Sequence, residues 1–70
     1  MYRFLVVIEK VNKNYSAYSP DLPGCVATGE TREEVERNIH EAIETHVQGL
    51  REDNLPIPKA ESIAEYIAVR

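Results

Sequence analysis

A chain of 70 residues with a single cysteine and a formal net charge of −4 has room for one domain and cannot form an intramolecular disulfide. The acidic balance makes it a poor ligand for phosphate backbones and better suited to a basic protein partner. Hydrophobic residues make up 43% of the chain, enough for a core and against disorder, yet a core this small supplies only about 3–5 kcal/mol. With neither disulfide nor metal ligands as support, self-association into a dimer or tetramer is expected.

The chain reads as one unit over residues 1–70. Its opening, Met1-Tyr2-Arg3-Phe4, is not an export signal, because the apolar run at 4–8 is short and is followed at once by Glu9 and Lys10. No stretch approaches the ~20 apolar residues of a membrane span. A lone cysteine without an export signal leads to the expectation of a cytoplasmic protein.

In chain order, residues 2–11 are rich in β-formers and nearly continuously apolar from 4 to 8, which predicts a central strand buried on both faces. Asn12-Lys13-Asn14 signals a turn, and the alternating Tyr15-Ser16-Ala17-Tyr18 completes a hairpin. Ser19-Pro20-Asp21-Leu22-Pro23-Gly24 excludes regular structure and predicts a stiff loop beside the helix start, with Asp21 and Leu22 exposed. Residues 25–29, Cys-Val-Ala-Thr-Gly, form a third strand. Thr31 and Glu34 then match a capping box. Val35, Ile39, Ala42, Ile43, His46, Val47 and Leu50 recur at helical spacing as a buried stripe, predicting a helix that ends near Asp53. Pro56 and Pro58 stop it. Residues 62–69 place Ile63, Glu65, Ile67 and Val69 on one face of a fourth strand. The fold class is therefore α+β, in the order β-β-β-α-β, with a small antiparallel or mixed sheet and one long helix packed on one face.

Groups that could carry chemistry have simpler explanations. Glu30, Glu33 and Glu34 cluster where capping and the helix dipole account for them, and Asp21 is a turn residue. Metal-dependent phosphoryl transfer needs carboxylates converging from several elements. Cys25 has neither an adjacent base nor a redox motif, so a small buried residue is expected. His40 and His46 are six apart, about 240° around a helix, and cannot chelate one ion. Tyr15 and Tyr18 could stack bases, but the basic, aromatic-rich strand of an RNA platform is missing, so packing is the expectation.

The segment YSPDLPGCVATGETREEVERNIHEA, residues 18–42, resembles the signature of the HicB antitoxin family. Its specific part is Pro20-Asp21-Leu22-Pro23-Gly24-Cys25 followed at fixed distance by Gly29-Glu30-Thr31, and the flanking strands extend the resemblance over nearly the whole chain. The resemblance implies a degenerate ribonuclease H-like unit, without catalytic residues or cofactor, that binds and masks a small basic HicA-like mRNA interferase toxin. Many members continue into a DNA-binding segment; this chain ends at Arg70, which argues against direct DNA binding. The partner-binding candidates are Asp21, Leu22, Pro23, Glu30, Glu33 and Glu34. Two alternatives remain open: a stand-alone oligomer without a toxin, and a nucleic-acid-binding or ribonuclease H-like remnant.

Overall fold

In the computed structural model, which describes residues 2–70, the elements are β1 (Val7–Val11), β2 (Asn14–Tyr18), β3 (Val26–Gly29) and α1 (Arg32–Glu52). The strands form one antiparallel sheet in the order β1-β2-β3, with α1 packed on one face. This is the expected α+β arrangement of three strands followed by one long helix.

The β1–β2 hairpin turns through two residues, with Val11 opposite Asn14 and Asn12 at φ 57°. Asparagine adopts this left-handed region more readily than most residues. Side chains alternate across a sheet. The row Ile8–Ala17–Ala27 faces the helix, and the neighbouring row Val7–Tyr18–Val26 faces away from it. Ala17, Leu22, Cys25, Val35 and Ile39 form the buried core, flanked by half-buried Phe4, Val6, Ile8, Tyr15, Ala27, Ala42 and Ile43.

Helix α1 starts as its sequence requires: the Thr31 hydroxyl accepts a hydrogen bond from the Glu34 amide at 3.1 Å. The reciprocal bond is displaced by one residue. The Glu34 carboxylate accepts from the amide of Glu30 at 3.3 Å, not from that of Thr31. At the other end Asn54, at φ 56°, reverses the chain. The Leu55 amide reaches the Leu50 carbonyl at 2.8 Å, and the Asn54 amide reaches that of Arg51 at 3.1 Å. This pair of bonds is a Schellman motif, so Asn54 ends the helix and the prolines only prevent its resumption.

Two expectations are corrected. β1 is an edge strand, and residues 4–8 are half-buried, because among the described residues no strand lies on its outer side. The fourth strand does not form: residues 55–70 hold neither helix nor strand. A strand needs a sheet edge to pair with, and residues 63–70 lie exposed in solvent instead.

Candidate protein interface

The loop at 20–24 is two consecutive turns. The Leu22 amide donates to the Ser19 carbonyl at 3.1 Å, and the Cys25 amide donates to the Leu22 carbonyl at 3.0 Å. The second turn holds Pro23 and then Gly24 at φ 83°, the proline-glycine order of a type II turn, where the third position needs a positive φ. The Ser19 hydroxyl ties the loop to β1's approach by donating to the Leu5 carbonyl at 2.9 Å. Asp21 accepts twice from Ser62, from its amide at 3.1 Å and its hydroxyl at 2.9 Å.

This geometry revises what the loop residues can do. Leu22 is 0% exposed and belongs to the core with Val35 and Ile39; the expectation that it is exposed fails because the double turn folds its side chain inward. Asp21 is half-buried and occupied by Ser62. Pro23, Glu30 and Glu33 are exposed, and Glu34 is half-buried.

The candidates also do not form one patch. The loop precedes β3 and the helix start follows it, so the four residues of that strand hold them roughly 13 Å apart, at about 3.3 Å per residue. The loop lies beside the middle of α1 instead. There a groove of about 510 Å³ runs between Gly24, Cys25 and Val26 on one side and Asn38, Glu41 and Thr45 on the other. At the helix start, Glu30 and Glu33 share their surface with Lys10, Lys13 and Arg32, which offsets much of their charge.

Gly29 explains why the loop, β3 and α1 keep this spacing. A Cβ at Gly29 would stand 2.7 Å from the Val35 amide nitrogen and 3.0 Å from its Cα, so only glycine lets the helix approach the strand so closely. Asn38 fastens the same junction by donating to the Thr28 carbonyl at 2.8 Å.

Sequence reasoning missed Val26, Asn38, Glu41 and Thr45 as groove residues. The available signal was the spacing of 38, 41 and 45 on one helical face. Cys25 is buried, and desolvation raises its thiol pKa. His40 is exposed and faces Glu44 at 3.5 Å, whereas His46 is half-buried in the groove wall. Tyr15 is half-buried against the core, and Tyr18 stands on the open sheet face. Among the described residues, no three His, Cys, Asp or Glu side chains gather to hold a metal ion, and no helix is long and apolar enough to cross a membrane.

A three-stranded antiparallel sheet carrying one helix, with a double-turn loop locked into the core, defines a small α+β domain whose accessible features are surfaces. Residues 4–70 match the family described as the HicB-like antitoxin of bacterial toxin-antitoxin systems. The chain belongs to that family. It is 44% identical over 62 residues to an uncharacterized 14.9 kDa protein of Haemophilus phage HP1, covering 89% of this chain and 47% of the phage protein. It therefore spans about half the length of that relative. A UPF0150 protein of Synechocystis is 36% identical over 70 residues, covering 99% of this chain and 89% of its own. A UPF0150 protein of Helicobacter pylori is 49% identical over 49 residues, covering 70% and 68%. No solved structure matches the chain significantly.

Proposed function

We propose that the protein is the antitoxin of a HicA/HicB-type pair, binding and masking a small basic mRNA interferase toxin in the cytoplasm. The observation that carries this reading is the family match over residues 4–70. The net charge of −4 suits a basic partner by steering its approach. Beside the loop, Val26 offers an exposed apolar contact on the open sheet face, and the exposed carboxylate of Glu41 stands on the rim of the neighbouring groove.

Pro23 is the contacting residue of the loop, while Leu22 and Asp21 act from behind by holding the turn in shape. A loop already fixed before binding loses less entropy when a partner docks. Glu30 and Glu33, with Glu34 bracing the helix start, form a second and weaker contact, because Lys10, Lys13 and Arg32 lie among them.

Growth rescue tests the reading. Co-expression of this chain with a small basic toxin encoded beside it should restore growth, and Val26→Asp with Glu41→Lys should abolish the rescue. Glu30→Lys with Glu33→Lys should reduce it less. Toxicity that persists with the parent chain would refute the proposal.

A further inference from the structure

The outer edge of β3 pairs with no strand among the described residues, and the register fixes which of its backbone groups are free. The two-residue turn of the hairpin makes Val11 and Asn14, which flank it, a hydrogen-bonded pair. Bonded pairs alternate along an antiparallel ladder, so Asn14, Ser16 and Tyr18 bond toward β1 while Tyr15 and Ala17 bond toward β3. Gly29 and Ala27, opposite them, therefore bond inward. Cys25 does the same, its carbonyl accepting from the Ser19 amide at 3.3 Å. Val26 and Thr28 are left pointing out of the sheet. The Thr28 carbonyl is taken by the Asn38 side chain at 2.8 Å. The Val26 amide, the Val26 carbonyl and the Thr28 amide have no partner among the described residues, and both residues are exposed.

This edge looks onto the groove of about 510 Å³ whose other wall is Asn38, Glu41, Thr45 and His46. Glu41 is exposed, and no lysine or arginine lines the groove with it. Among the described residues Glu41 forms no ion pair, unlike Glu36 with Arg32 and Glu44 with His40.

The geometry points to strand addition: an extended segment of the basic toxin pairs with β3 across Val26. This rests on the toxin reading of the protein. Val26 exchanges both of its bonds with one residue of the segment, whose backbone runs about 4.8 Å away, and the Thr28 amide donates a third. Asn38 ends the ladder by holding the Thr28 carbonyl. Alternation then dictates the segment's side chains. The residue opposite Val26 lies on the open sheet face, where an apolar side chain extends the row Val7–Tyr18–Val26. Its two neighbours point to the groove, where a lysine or arginine meets Glu41. A second copy fits this edge poorly, because two such edges paired by a twofold axis would face their Glu41 carboxylates across the seam.

Amide hydrogen exchange read by NMR tests the inference, on the isotope-labelled full chain alone and with toxin purified from the adjoining gene. In the complex the Val26 and Thr28 amides should exchange at least about tenfold more slowly than in the free chain. Val26→Pro removes the outward amide without removing a bond within the sheet, as an edge position allows. Its circular dichroism should be unchanged, and its Kd for the toxin should rise roughly tenfold, the scale of one lost hydrogen bond. Thr28→Pro should also weaken binding, and Val26→Ala, which keeps the amide, should weaken it less than Val26→Pro. The protection measurement needs no variant to fold. Toxin bound with both amides exchanging as in the free chain would overturn this inference and leave the toxin reading standing. So would folded Val26→Pro and Thr28→Pro chains that bind like the parent. Slow exchange at both amides in the chain alone would overturn it as well, giving the edge to a second copy. A toxin that does not bind at all would remove the toxin reading and this inference with it.

Discussion

Leu22→Ala isolates the loop's structural role. The Leu22 side chain is completely buried among Ala17, Cys25, Val35 and Ile39, although it sits between two prolines in a connection. Truncating a buried leucine to alanine costs about 2–5 kcal/mol, since both transfer energy and a cavity are lost. At roughly 0.05–0.15 kcal/mol per residue, a domain of 70 residues is stable by about 4–10 kcal/mol in total. A loss of about 3 kcal/mol then lowers the Tm by about 20 °C, because the unfolding entropy is about 2.1 cal/mol/K per residue. Urea unfolding followed by circular dichroism at 222 nm should show a much lower midpoint with an unchanged slope. The neighbouring Pro23→Ala, on an exposed side chain, should move it far less. If Leu22→Ala stays within about 0.5 kcal/mol of the parent, the range of ordinary surface changes, Leu22 is not the plug that joins loop to core.

Gly29→Ala drives a Cβ to 2.7 Å from the Val35 backbone, and its unfolding midpoint should fall by the equivalent of about 1–3 kcal/mol, as overpacking does. Thr31→Ala removes the acceptor for the Glu34 amide and should cost about 1 kcal/mol in the same titration, whereas Thr31→Ser should retain most of it. The buried, pKa-raised thiol of Cys25 should react slowly with a disulfide reagent at neutral pH in the native protein and rapidly in urea, because the thiolate is the reactive form.

The helix was legible to within a residue at each end, because the Thr31 cap and the stripe from Val35 to Leu50 report local physics. The hairpin was equally plain from Asn12 and the alternation after it. The burial of Leu22 was not. Proline, aspartate and glycine mark a turn without saying which way its one leucine points, and that direction depends on the core beneath. Glu30 and Pro23 looked adjacent because seven positions of sequence separate them, but an extended β3 sets them at opposite ends. The segment at 62–69 has the alternation of a strand, and pattern alone cannot supply the edge on which a strand forms. The spacing of Asn38, Glu41 and Thr45 put them on one helical face, but only the strand and loop packed beside that face make it one wall of a groove.

An mRNA-cleavage assay in vitro tests the antitoxin reading most directly. A purified toxin from the adjoining gene is mixed with a defined transcript, and this chain is titrated in. The account predicts that intact transcript is restored as the chain approaches equimolar ratio with the toxin, and that Val26→Asp with Glu41→Lys shifts the titration to large excess. Transcript cleaved at the same rate at every ratio, with the chain folded, would contradict it.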